Sequence, residues 1–200
     1  MPKYSNRDHY IDAATGVLKN RLGLGSEAEL EKAEVSFASI RSYQLRQTPL
    51  PGDFDLTHLK AIHRYLFQDV YDWAGEIRSV DISRGDTTFA HHRHIEAAAE
   101  LIFRRLAKEK HLSGLGIEAF SERAGHYLGE INAVHPFREG NGRAQRQFIS
   151  HLAYHCGFIL DWEHLGRPEM IRASIESFNG DCSRFVSYIG SHLEVRERPE

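Results

Sequence analysis

The sequence predicts an all-α fold that carries one short β-hairpin, and three observations predict it. Apolar residues recur at three- and four-residue spacing along most of the chain, short glycine- and proline-bearing breaks separate those stretches, and one β-branched segment, residues 77–90, departs from the pattern. With 200 residues, 41% of them hydrophobic, the chain is long enough for one sizeable core and short for two. A single domain over 1–200 is expected, with its core at about 55–195 and N-terminal helices at about 8–47 packed on it.

The elements follow in order. Breaks are expected at 22–26, 48–53, 111–116 and 162–168. From 26 to about 47, Glu27 and Glu29 favour a helix start, and Leu30, Ala33, Phe37, Ile40 and Leu45 trace an apolar face. Asp55 is an N-cap for the next helix, with Leu56, Leu59, Ile62, His63, Leu66 and Phe67 on its buried side. In 77–90, Ile77, Val80 and Ile82 are β-branched, Arg84-Gly85-Asp86 is a turn signal, and Asp81 and Asp86 serve the turn and hairpin. This hairpin is the only strand pair expected. Helices at 95–109 (Ala98, Leu101, Ile102, Leu106), 116–134 (Phe120, Ala124, Leu128, Ile131, Val134) and 141–157 complete the reading. The Glu- and Arg-rich tail at 194–200 reads as a solvated helix end fraying into disorder.

Composition excludes several functions. The balance of 25 Lys and Arg against 28 Asp and Glu, net charge -3, offers no general basic surface to a phosphate backbone. No run approaches the ~18 apolar residues of a membrane span, and the polar start lacks a signal peptide's apolar segment, so a cytoplasmic location is expected. Cys156 and Cys182 fit reduced, buried thiols. His91, His92 and His94, with His63 elsewhere, have no Cys or acid at zinc spacing and read as a solvated exit from the hairpin. Trp73, Trp162 and Tyr71 read as packing.

Chemistry concentrates in residues 135–146, His-Pro-Phe-Arg-Glu-Gly-Asn-Gly-Arg-Ala-Gln-Arg. Gly140, Asn141 and Gly142 can turn the chain tightly into a helix start, where unpaired N–H groups and the positive dipole end seat an anion. Arg143 and Arg146, three apart, share a helix face and suit a polyphosphate better than one phosphate. Glu139, just before the glycines, can hold Mg²⁺ together with substrate phosphates. Pro136 must end or bend the preceding helix, which leaves the His135 imidazole facing the loop as a general base. Phe137 anchors the loop in the core. Any one glycine or arginine would fit an ordinary helix-loop-helix, but the joint set does not reduce to that.

The string resembles the signature of the Fic family, His-Pro-Phe-x-Asp/Glu-Gly-Asn-Gly-Arg-x-x-Arg, at every specified position, with Arg138, Ala144 and Gln145 in the free ones. The likeness extends to Trp73-Ala74-Gly75-Glu76-Ile77-Arg78, to the hairpin and to the total length, leaving residues before about Tyr10 and after about Leu193 uncovered. It implies a protein adenylyltransferase in which His135 deprotonates a Ser, Thr or Tyr hydroxyl of a target protein and that oxygen attacks the α-phosphate of ATP. It further implies that Glu139 places Mg²⁺ on the α and β phosphates, that the 140–142 backbone with Asn141 holds their oxygens, and that Arg143 and Arg146 neutralise the β and γ phosphates. The hairpin would be a flap clamping an extended target segment, through Val80, Asp81, Ile82, Thr88, Phe89 and Ala90.

Many similar proteins carry an inhibitory helix with Ser/Thr-x-x-x-Glu-Gly/Asn. Here no Ser or Thr has Glu four residues on, and the nearest approach, Thr15, has Lys19 there. The resemblance therefore implies the toxin of a toxin–antitoxin pair, restrained by a small antitoxin protein that supplies the glutamate, with type II topoisomerase subunits among the targets. A related phosphotransferase branch has lysine where this chain has Gly142, which favours AMP transfer. Transfer of another nucleotide or phosphoryl group, or a non-catalytic nucleotide-dependent binding module, are the alternatives.

Overall fold

The computed structural model describes residues 8–85 and 87–197. Among them are seven α-helices: α1 (Glu27–Gln47), α2 (Leu56–Phe67), α3 (Ile95–Lys108), α4 (Ile117–Val134), α5 (Asn141–His155), α6 (Arg167–Phe178) and α7 (Ser183–Ser191). Two antiparallel strand pairs join them, β1 (Ser83–Arg84) with β2 (Thr87–Thr88) and β3 (Phe158–Leu160) with β4 (Leu193–Val195). The fold class is all-α with a small hairpin, as the periodicities predict.

The arrangement centres on α4, which packs on α3, α5, α6 and α7. Glycines on α4 allow the closest approach: a Cβ at Gly125 would lie 2.7 Å from Val186 Cγ2, and one at Gly129 2.6 Å from Cys182 Sγ. α2 lies on α5, and α1 lies on α2. Asp55 caps α2 as expected, its Oδ1 accepting the His58 N–H at 2.8 Å. One hydrophobic cluster runs from Tyr10 to Leu193, and no described helix is long and apolar enough to cross a membrane.

Several expectations are corrected. Residues 8–26 are turns with one bridge, Ile11 to Leu18, rather than helix, so α1 is the one N-terminal helix among the described residues. The buried side of α1 is Leu30, Glu34, Ala38 and Leu45, while Ile40 is 58% exposed and, on α3, Leu101 is 47% exposed. The hairpin is not the sole strand pair: Leu193–Val195 pairs with Phe158–Leu160 in place of a fraying helix end. Phe158, Leu160 and Leu193 are buried, so this pair closes the core beyond the end of α5. β1 starts at Ser83, later than the β-branched Ile77, Val80 and Ile82 suggested, and Asp86 and residues 198–200 lie outside the described residues. Both cysteines are free thiols, each half-buried rather than buried.

The core also holds three histidines, His58, His63 and His151. Burial, the largest cause in each case, holds His63 and His151 down to about 3, and it lowers His58 as well. These rings are neutral in the fold but charge in the unfolded chain below about pH 6.5. Their contribution to stability is therefore complete above that pH and falls as pH drops from about 6.5 towards 3. Between pH 7.5 and 5, His63 and His151 together are expected to cost ~4 kcal/mol, read by urea unfolding at each pH. His151→Gln should remove about half of that slope, and an unchanged slope would show that these rings are not responsible.

Candidate active site

The carboxyl end of α4 and the amino end of α5 meet at the motif loop. α4 ends at His135, left-handed at φ +49°, with Pro136 next. Its Nδ1 lies 3.0 Å from the Asn132 carbonyl, a partner that can only accept, so the proton sits on Nδ1 and the Nε2 lone pair is the basic one. The Phe89 ring stacks on the imidazole at 3.8 Å and 17°. Burial brings the His135 pKa down to about 4; the Asn132 carbonyl and Glu139 oppose this, while Arg78 and Arg84 add to it. The ring is neutral at pH 7.

The loop that follows is braced at each turn. The buried Asn141 amide accepts the Phe137 N–H at 2.8 Å and donates to the Phe137 carbonyl at 2.7 Å. With its side chain so engaged, Asn141 can offer an anion its backbone N–H. Phe137 is buried as expected and stacks at 3.8 Å on His63. His63 Nδ1 accepts the Gly75 N–H at 2.8 Å, which places its proton on Nε2, donated to the Glu139 carbonyl at 2.9 Å. Gly140 is left-handed at φ +79° and opens α5, as a tight turn into a helix start requires. A Cβ at Gly142, by contrast, would meet nothing within 4 Å.

Charge gathers around this helix tip. Glu139, Gly140, Gly142, Arg143 and Arg146 line one cavity of about 750 Å³, with Arg84 reaching it from the hairpin. Arg146 has no carboxylate partner among the described residues, and burial, with the Arg143 charge second, lowers its pKa to about 10. Arg143 sits 4.8 Å over the Phe67 ring, and its Nη1 is buried without a hydrogen-bond partner. The Glu139 carboxylate accepts the Gly140 N–H at 3.1 Å on the same wall.

Four contributors escaped the sequence reading. Glu34 of α1, buried, takes hydrogen bonds from both Arg143 Nη2 and the Tyr71 hydroxyl, so an internal carboxylate does reach the first motif arginine. It lies outside any Ser/Thr-x-x-x-Glu pattern, which is why a motif search passes over it. Tyr71, read as packing alone, has its pKa raised by burial first and Glu34 second. Arg138, at a free motif position, forms a buried ion pair with Asp8 at 2.7 Å. Arg78 is fully buried beneath the hairpin.

The hairpin residues divide. Thr88 is in β2, the Phe89 N–H donates to the Ile82 carbonyl at 3.4 Å, and Val80 and Ala90 lie at the two roots. The fold also supplies the acid that the histidine run lacked, Asp81, 3.2 Å from His91 Nε2 and 2.9 Å from His92 Nδ1. His91 Nδ1 already accepts the Arg93 N–H, so its proton lies on Nε2 and is donated to Asp81. The cluster is a hydrogen-bonded clasp across the base of the hairpin, and Asp81 also caps the His92 N–H at 2.8 Å.

A glycine-opened helix tip with two arginines thus stands beside a neutral histidine that ends the preceding helix. The Fic/DOC family profile matches residues 53–153, and the chain belongs to that family. It is 50% identical over 194 residues to the protein adenylyltransferase VbhT of Bartonella schoenbuchensis, which covers 96% of this chain. The chain spans 41% of the length of that relative. It is 41% identical to the probable protein adenylyltransferase Fic of Salmonella typhimurium, covering 88% of each. Among solved structures it is similar to the BepC protein of Bartonella tribocorum with bound AMPPNP (TM-score 0.86, 25% identity, 94% of this chain and 97% of that one). A Fic domain from Bartonella quintana with bound ADP superposes with TM-score 0.86 at 25% identity, over 94% of this chain and 95% of that one. The likeness to proteins named as adenylyltransferases thus extends over 88–96% of this chain.

Proposed function

We propose that this domain transfers AMP from ATP to a Ser, Thr or Tyr hydroxyl of a target protein, with His135 as general base. The observation that carries this reading is the pairing of a neutral imidazole, its Nε2 lone pair free, with an arginine helix tip whose Arg143 Nη1 is buried and unpartnered. The target oxygen attacks the α-phosphorus, its proton passes to His135 Nε2, and the bond from that phosphorus to the bridging oxygen breaks to release pyrophosphate. The first turn of α5 holds phosphate oxygens with the N–H groups of Asn141 and Gly142, the Gly140 N–H being taken by Glu139, and Arg143 and Arg146 balance the outer phosphates. Open space over Gly142 leaves room for the β-phosphate. Glu139 fits a Mg²⁺ ion, because its carboxylate stands on the cavity wall where phosphate oxygens would complete the oxygen ligand set. When bound, that ion would neutralise phosphate charge.

In this reading the described residues form one domain, the hairpin is the flap that receives an extended target segment, and the protein acts in the cytoplasm where ATP is the donor. It is the toxin of a toxin–antitoxin pair, with type II topoisomerase subunits as candidate targets and a small antitoxin protein as partner. Incubation with a bacterial lysate tests the reaction: α-labelled ATP is expected to label a protein and γ-labelled ATP is not. The reverse pattern would mean phosphoryl transfer, and no label from either would sink the enzyme reading.

Glu34 bears on ATP affinity. Its carboxylate holds Arg143 and places a negative charge near the phosphate seat, so ATP must share that arginine. Glu34→Gln is expected to tighten ATP binding about fivefold by calorimetry, the equivalent of ~1 kcal/mol. Weaker binding would show that Glu34 orients Arg143 for the nucleotide.

A further inference from the structure

Arg78 lies below the flap, and its guanidinium is fully buried. All of its side-chain hydrogen bonds go to backbone carbonyls from two separate parts of the chain. Nη1 donates to Val80 at 2.7 Å and Nη2 to Ala90 at 2.5 Å, the two roots of the flap. Nε donates to His135 at 2.9 Å and Nη2 to Val134 at 3.3 Å, the last carbonyls of α4. Its own N–H donates to the Pro136 carbonyl at 2.9 Å, so Arg78 spans the catalytic turn on both backbone and side chain.

The chemistry suits a guanidinium. A helix end leaves carbonyls unpaired and carries the negative end of the dipole, and a planar cationic fork satisfies several of them at once. Burial lowers the Arg78 pKa to about 10, with Asp81 at 3.9 Å opposing that shift, so the group stays charged at neutral pH. His135 needs such a clamp, since a left-handed backbone at φ +49° is one that a side-chain-bearing residue seldom holds unaided. The flap needs it too: its strands are two residues each, and Phe89, next to the anchored Ala90, is the residue that stacks on His135.

We propose that Arg78 is a positioning residue that fixes the flap and His135 in one register, so that a hydroxyl on a flap-bound segment meets Nε2. This rests on the reading of His135 as the base. Arg78 touches neither the nucleotide seat nor the target; it acts through the carbonyls of Val80, Ala90, Val134 and His135. Transfer rate should therefore depend on it far more than ATP binding does.

The test uses the full chain and the lysate protein that wild type labels from α-labelled ATP. Arg78→Met is expected to lower the initial rate at saturating ATP by about 100-fold, the scale of a misplacement near 1 Å, with the apparent KM for ATP within about threefold of wild type. Arg78→Lys keeps the charge but loses the fork, and the rate should stay at least about tenfold down. This milder variant carries the test should the methionine form fail to fold. In a cycle with Phe89→Ala, the loss caused by the second change should shrink once Arg78 is altered, because both act on the same register. Rates that return to wild type with lysine, an ATP KM that rises with the rate loss, or additive losses in the cycle would each overturn the proposal. His135→Ala runs alongside, and full labelling by that variant would instead overturn the assignment of the base.

Discussion

His135→Ala is expected to lower AMP transfer at least about a thousandfold while ATP binds within about threefold of wild type, measured by α-label incorporation and by calorimetry. The split follows from the positions of the groups. The imidazole closes α4, whereas the N–H groups and guanidiniums proposed to hold phosphate belong to α5, and the loop between them is braced by Asn141, Phe137 and His63 rather than by the His135 ring. Removing the ring takes away the proton acceptor and the Phe89 stacking partner and leaves the anion seat intact. A variant that still labelled its target at near the wild-type rate would remove His135 from the chemistry.

Gly140→Ala should damage both fold and binding. At φ +79° the residue is in the region that favours glycine, and an added Cβ would fall 2.4 Å from the Phe67 ring, which is fully buried. The left-handed penalty of ~1–2 kcal/mol and overpacking of ~1–3 kcal/mol give about 3 kcal/mol, or roughly 10 °C in Tm for a domain of this size. Relief by turning the helix tip would move the phosphate seat, so ATP affinity should fall more than about tenfold. Gly142→Ala is the control: its Cβ enters open space inside a helix, so Tm should hold within about 2 °C while ATP loses room. Equal Tm losses for the two variants would contradict the role given to Phe67.

How much of this was legible in the sequence depends on distance along the chain. The motif at 135–146 was readable because its histidine, glycines and arginines are neighbours, and α2, α3 and α4 were readable because they repeat their apolar positions over several turns, whereas α6 and α7, beyond the last helix expected, were not read. Glu34 was not, since its partner Arg143 is 109 positions away and nothing in the sequence separates it from Glu27, Glu29 and Glu31 of the same helix. The bond from His63 to the Glu139 carbonyl spans 76 positions, and that from Arg78 to His135 spans 57. β3 and β4, three residues each, are too short to show a two-residue period against a helical background. Asp81 joined the histidines only after the hairpin folded back.

The contact between Glu34 and Arg143 binds two things that are otherwise separate, the seating of the first helix and the occupancy of the cavity. A triphosphate that draws the guanidinium away leaves a desolvated anion with a phenol as its remaining donor, so α1 is held less firmly when the cavity is full. Reciprocity then requires the converse by the same factor for that one contact: a change that parts Glu34 from Arg143 should strengthen the grip on a triphosphate.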